Sequence, residues 1–392
     1  MRLIVIFPVL ALCGSILAQP INLLTSIRTA ERSRDSIRAA ELRLREAELN
    51  LSAATLFSPL RLEAGYGTFP TLGAGEDFLV ALPVDVFGKN RAARGSAGAN
   101  VEVVRAQLRQ AKLDLQSQVI DAYAELVSAQ IQLRTGKQLQ DLEQRSYDAT
   151  KKRVDDGDLP PVEELRADLD LQRAKAASSV NEQAVQAARQ RLSAATGSPI
   201  SEDVDESLFA MPMTAKTTRP DLQELQANVA TAQAETRSAD ASRLPDFELQ
   251  FRRSPWGDSE SYNFRGQIVW NLLDWGAGAK RASAARAARE AARKDLADRL
   301  ATADKEIAAS EADVRSAQTS VDSFAKLETD ALALVDKEQK GFDLGGNTLL
   351  GILEATRSLR EIQASEADAK LRLIQAQGRW LAAKGIVLTE LP

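Results

Sequence analysis

The sequence predicts a mainly α fold with a small β component that one copy of the chain cannot complete, built as a tandem duplication. Three observations lead there. Two stretches of about 68 residues carry sustained 3,4 spacing of apolar and small residues, over Val101 to Leu133 and Leu296 to Phe324. Four short stretches alternate apolar and polar residues. Residues also recur at a fixed offset of 188: Lys152, Asp155, Gly157, Leu165, Ala167 and Gly197 return as Lys340, Asp343, Gly345, Leu353, Ala355 and Gly385, and Gly88 returns as Gly276.

Composition bounds the chemistry. The 392 residues include no histidine and one cysteine, which excludes a histidine triad, a histidine-ligated metal or a histidine proton shuttle. A net charge of −5 leaves no excess of cations to neutralise phosphates, so nucleic acid is not an expected partner. No nucleophile and base constellation points to an enzyme, and no cofactor is expected.

The opening segment has a cation at Arg2, an apolar run over Leu3–Leu12 and a small residue at Ala18, the pattern of a secretory signal covering residues 1–18. A lipoprotein signal would place a small residue before Cys13, where Leu12 stands. If cleavage follows Ala18, Cys13 is removed and with it thiol and disulfide chemistry; a lipidated Cys13 is the other reading. No later stretch reaches the roughly 18 apolar residues of a membrane helix. The expected organisation is a first repeat over 19–197, a proline-rich connector over 198–219 and a second repeat over 220–392.

Within the first repeat the spacing predicts a helical segment over about 22–57, strands over 60–67 and 77–87, a long helix over 89–156 and a further helix over 161–196. In the second it predicts a helix over 220–243, strands over 246–253 and 261–273, a long helix over 277–344 and a helix over 347–384. Each long helix carries a coiled-coil seam with small residues, Val101 to Leu133 in the first and Leu296 to Phe324 in the second. A second stripe, Ile120, Tyr123, Val127 and Ile131, predicts that the first long helix packs on two sides, as in a cylinder of helices.

The strands carry one apolar and one polar face: Phe247, Leu249 and Phe251 oppose Glu248, Gln250 and Arg252. Twelve of the 18 mature aromatics fall within 57–87 and 247–275, with Phe57, Tyr66, Phe87, Trp256, Trp270 and Trp275 at strand ends. Aromatics rimming alternating strands match the girdle of an outer-membrane barrel. A soluble sheet packed on helices is the other reading, but the flanking helices are already committed to their seams. Lipid tolerates no open sheet edge, and four strands cannot close, so closure requires several copies.

The turn motif Lys152-Arg153-Val-Asp-Asp-Gly157-Asp-Leu159, its copy Lys340-Gly-Phe342-Asp-Leu-Gly345, the strand exits Val86-Phe87-Gly88 and Asp274-Trp275-Gly276, and Arg219-Pro220-Asp221-Leu222 together resemble the outer-membrane efflux protein (TolC) family. The resemblance covers essentially the whole mature chain. It implies a homotrimer with a 12-stranded barrel in outer-membrane lipid and an α-helical tunnel through the periplasm. The tunnel tip docks on a periplasmic adaptor attached to an inner-membrane pump. Carried onto this sequence, the docking turns are Arg153, Gly157, Asp158 and Leu159 in the first repeat and Gly345, Gly346 and Asn347 in the second. The gate candidates are Glu163 and Glu354. Such a chain is a passive conduit; a periplasmic coiled-coil adaptor and a structural envelope protein are the rival readings, and metal ions, drugs and polypeptides are all open as cargo.

The family pattern often adds an acid three residues before Glu354; Gly351 stands there, which shifts the expected charge of the gate towards Glu163. Carboxylates about 6 Å apart at an effective dielectric near 20 repel by roughly 3 kcal/mol per pair, so a ring of them attracts cations. Arg153, beside the same turn, is a candidate to pair across helices and hold the entrance shut. Two weaker motifs have plainer readings. Asp155-Asp156 is expected to be solvated, and Gly65-Tyr-Gly67 with Gly73-Ala-Gly75 is expected to be a loop between strands rather than a phosphate loop, since no Lys-Ser/Thr follows.

Overall fold

The computed structural model describes residues 21–54, 58–69, 73–206, 218–254, 261–270 and 274–391. In chain order these form α1 (Leu23–Ser33), α2 (Asp35–Ala54), β1 (Arg61–Phe69), β2 (Gly73–Val84), α3 (Lys89–Asp155), α4 (Pro161–Thr196), α5 (Pro220–Ala241), β3 (Asp246–Ser254), β4 (Ser261–Val269), α6 (Ala277–Asp343), α7 (Leu349–Lys384) and a closing 3₁₀ turn (Leu388–Glu390). No helix among the described residues is long and apolar enough to cross a membrane.

Three expectations need correction. The helical segment predicted over 22–57 is broken at Arg34 into α1 and α2, and the Ile37 and Arg38 amides both turn back to the Arg34 carbonyl. Neither glycine pair is a loop. Gly65, Gly67, Gly73 and Gly75 lie inside the ladder, with Gly67 opposite Gly75 and Phe69 opposite Gly73. Strand β2 accordingly starts earlier than the expected 77 and ends at Val84, because Asp85 is taken by the next helix: its carboxylate accepts from the Lys89 and Asn90 amides at 2.7 and 3.0 Å. Asp274 does the same for α6 through Gly276 and Gly278, and those amides hold its carboxyl below the usual range.

The chain divides into two compact units, and neither is a sequence repeat. One comprises Met1–Ala30, Val119–Ala210 and Phe324–Leu371; the other comprises Glu31–Gln118, Met211–Ser323 and Arg372–Pro392. Each long helix contributes residues to both.

The first unit carries the two interhelical turns. Ile120, Tyr123, Val127 and Ile131 of α3 are all buried alongside Val119, Leu126 and Ala129, so this part of α3 packs on both stripes. Polar links join α3 to α4 (Lys137 to Glu182, 3.2 Å), α3 to α7 (Arg360 to Glu143, 3.6 Å) and α6 to α7 (Gln363 to Glu328, 3.0 Å). Burial raises the Glu143 carboxyl, Arg360 opposes the shift, and Asp170 adds to it. Ile21 forms a parallel bridge with Val204, and the Tyr123 hydroxyl donates to the Asp205 carbonyl at 2.6 Å.

The second unit carries a four-stranded antiparallel sheet in the order β1-β2-β3-β4. Rows across it run Leu62, Val80, Phe251, Phe264 on one face and Arg61, Ala81, Gln250, Arg265 on the other. Neither β1 nor β4 has a second neighbour among the described residues. The same unit holds the meaning of the Arg-Pro-Asp motif. Arg219, buried at the start of α5, donates to Asp221 at 2.8 Å and to Glu306 of α6 at 2.9 Å, and Arg299 grips the same two acids at 2.7 and 2.6 Å. Desolvation alone would raise Asp221, but the two guanidinium groups outweigh it and hold the carboxyl low. Gly385 is required behind them, because a Cβ there would sit 2.9 Å from Arg219 Cα.

Candidate functional site

The two turns of the first unit are copies in backbone terms. After α3, Gly157 takes φ +81°, its amide bonds to Val154 O, and the Asp158 and Leu159 amides both reach Arg153 O at 2.8 and 3.2 Å. After α6, Gly345 takes φ +78°, its amide bonds to Phe342 O, and the Gly346 and Asn347 amides reach Gly341 O at 2.9 and 3.1 Å. Every bond is repeated at the offset of 188. This glycine-dependent C-cap satisfies the last helix carbonyls, and only the left-handed backbone permits it.

The side chains differ. Arg153 extends from the first turn to the second: its guanidinium lies 4.7 Å from the Phe342 ring centroid and donates to the Phe342 carbonyl at 3.2 Å. Its across-helix partner is thus a ring and a carbonyl rather than a carboxylate. Phe342 is fully buried with Ala167, Leu349 and Ile352, so a residue of α6 seats the arginine of α3. The second turn returns no arm, since Gly341 occupies the position of Arg153. A Cβ at Gly341 would overlap the Asn347 amide, which itself donates to Glu338 at 2.9 Å. Helix α4 starts on Pro161 at its first position. Helix α7 starts instead after Thr348, whose hydroxyl accepts from the Gly351 amide at 3.3 Å, so Asn347 braces the turn rather than capping the helix.

Of the gate candidates, Glu163 is paired with Arg166 at 2.7 Å and its side chain is only 20% exposed. Glu354 is exposed and has no charged partner among the described residues, so of the two gate candidates Glu354 is the one left without an ion pair. Glu338 was not singled out by sequence. Its Oε2 lies 2.8 Å from where a Cβ at Gly351 would be, so this carboxylate fills the space beside the missing acid. Among the described residues no group of three or more acidic, cysteine or histidine side chains could hold a metal ion.

At the sheet, Tyr66 stands on β1 and is 73% exposed. Phe87, Trp270 and Trp275 gather at the strand ends next to the helices: Phe87 meets Phe247 with ring centroids 5.8 Å apart, Trp270 donates to the Arg243 carbonyl at 3.1 Å, and Trp275 is 91% exposed. Trp275 is the one non-glycine residue with positive φ among those described. Phe57 and Trp256 lie outside the described residues. Leu60, Leu62, Phe264 and Ile268 join Tyr66 in leaving the apolar face uncovered.

A family model described as outer membrane efflux protein matches residues 26–198 and 211–385. The cobalt-zinc-cadmium resistance protein CzcC of Cupriavidus metallidurans is 28% identical over 133 residues, which is 33% of this chain and 32% of that protein. The chain thus aligns with about a third of that curated relative. Among solved structures, the open state of the MtrE outer membrane channel of Neisseria gonorrhoeae superposes with a TM-score of 0.77 at 18% identity, covering 94% of this chain and 91% of that one. The outer membrane protein VceC of Vibrio cholerae superposes with a TM-score of 0.76 at 18% identity, covering 93% and 96%. At these identities the likeness establishes the fold.

Proposed function

The chain belongs to the outer membrane efflux protein family, and from that premise we propose that it is the outer-membrane channel of a tripartite efflux system. In this reading residues 1–18 are removed on export and three copies close a 12-stranded barrel in outer-membrane lipid. The helices then continue as a periplasmic tunnel that receives cargo from an adaptor and an inner-membrane pump. The observation that carries it is the sheet: among the described residues, two edges without a partner and an uncovered apolar face on one chain, opposite a polar face. In water such a surface is a liability, whereas in lipid it is the outside of a barrel wall once its edges are paired by other copies.

The two turns are the docking ends, presenting Gly157, Asp158, Gly345 and Gly346, while Leu159 packs against the Phe342 cluster and Arg153 and Asn347 hold the turns in shape. Glu354, with Glu163 behind its arginine, lines the entrance and attracts cations. The similarity to a cobalt-zinc-cadmium resistance protein makes divalent metal cations the first cargo to test. The test combines outer-membrane fractionation with conductance in planar bilayers. The expected result is an outer-membrane protein forming a cation-preferring pore, with Glu354→Gln lowering the preference and Glu163→Gln changing it less. Recovery as a soluble periplasmic monomer without conductance would overturn the reading in favour of an envelope coiled coil or adaptor.

A further inference from the structure

The polar face of the sheet carries an incomplete ladder. Arg61 on β1 reaches over Ala81, which is fully buried and small enough to allow the crossing, to Glu248 on β3 at 3.1 Å. Gln250 Nε2 donates to the same carboxylate oxygen at 3.0 Å. Gln250 Oε1 then accepts from Arg265 on β4, from Nε at 3.0 Å and from a terminal nitrogen at 2.9 Å, and Gln267 accepts from Arg265 at 3.4 Å. The chain of hydrogen bonds therefore runs unbroken from one edge strand to the other.

Its charges are lopsided. Both carboxylates gather on Arg61, since Glu63 sits 3.0 Å from the same guanidinium that binds Glu248. Arg265, at the opposite edge, meets only amide oxygens among the described residues. The cation that meets no acid, Arg265, lies on β4, and Glu63, which shares Arg61 with Glu248, lies on β1; these are the two strands without a second neighbour among the described residues. Alternation also fits: with four antiparallel strands, β4 of one copy and β1 of the next meet antiparallel. A head-to-tail junction of this kind joins two different surfaces and closes as a ring.

We propose that the ladder continues from copy to copy, with Arg265 of one chain completed by the Glu63 carboxylate of the neighbouring copy across the β4–β1 seam. The occupant is argued from charge complementarity between the two open edges and from the two residues standing on the same polar face. Glu63 is then shared between its own Arg61 and the neighbour's Arg265, and each seam carries a balanced set. This rests on the barrel reading above and specifies which side chains close it.

The test is a charge exchange in the full-length protein extracted from outer membranes in mild detergent. The readout is the temperature at which the oligomer dissociates. Arg265→Glu and Glu63→Arg should each lower that temperature, and the double variant Arg265→Glu/Glu63→Arg should recover most of the loss. Arg265→Gln and Glu63→Gln, which avoid repulsion, should give smaller losses that do not add. Charge-exchange losses that simply sum would overturn the pairing, as would an Arg265→Gln variant with altered ion selectivity and unchanged dissociation. Failure of the barrel reading itself would be distinct, because the unmodified protein would then yield no oligomer from the membrane.

Discussion

The two interhelical turns share one backbone and almost no side-chain chemistry. Their hydrogen bonds correspond one for one at the offset of 188, including both positive-φ glycines. Yet Arg153 corresponds to Gly341, Val154 to Phe342, Leu159 to Asn347 and Glu163 to Gly351. Duplication kept what the chain reversal needs and released the rest. The released positions became complementary: one turn supplies the arginine and the other supplies the ring that seats it. A pair of identical turns would have two arms and no seat.

Replacing Phe342 should break this asymmetry most severely. Phe342→Ala empties a fully buried position and removes the seat of Arg153, an expected loss of about 3–5 kcal/mol. Val154→Ala at the corresponding half-buried position should cost only about 1 kcal/mol. Hydrogen exchange at the two turns reads the difference, and equal protection losses would show that the seat is unimportant.

A second contrast lies in Gly341. Gly341→Ala should destabilise its turn by about 1 kcal/mol, because the overlapped Asn347 amide must swing away and give up its hydrogen bond to Glu338. Asn347→Ala, which removes that amide, should relieve most of the cost when combined with it. An additive pair would place the strain elsewhere.

What the turns share should respond equally. A Cβ at Gly157 or Gly345 meets no neighbour within 4 Å, so Gly157→Val and Gly345→Val are expected to cost chiefly the left-handed backbone penalty of about 1–2 kcal/mol. Efflux should fall with either, while the yield of assembled protein stays near normal. Unchanged efflux with both replaced would remove the docking assignment.

The smallest effect concerns pH. Glu143 has a raised pKa in the folded chain, so its contribution favours the fold most below its unfolded pKa and is lost as pH rises through the raised value. Relative to Glu143→Gln, the parent should therefore gain thermal stability on mild acidification, although acids held low such as Asp221 pull the absolute profile the other way. A variant with the parental pH profile would assign the effect to other groups.

Much of this architecture was legible because the signals were local or repeated. A glycine ending a long apolar seam fixes a helix end, so α3, α4 and α6 begin or stop within a residue or two of their expected bounds. The break at Arg34 was not legible, since Glu31-Arg-Ser-Arg-Asp35 contains no glycine or proline. The glycines of β1 and β2 misled because glycine usually marks a turn; here they sit in ladder positions opposite one another. At the turns, the motifs exposed the glycines, Arg153 and Phe342 but gave Phe342 no role and no sign of Glu338. Their roles depend on which helices meet in space, and a long-range seat leaves no periodic trace in the chain.

The central claim is that the sheet of one chain is a third of a wall closed by its copies. Its most direct measurement is the mass of the protein extracted from the outer membrane in detergent, corrected for bound detergent by light scattering. The account predicts three mature chains in one stable particle. A stable, water-soluble single chain would contradict it.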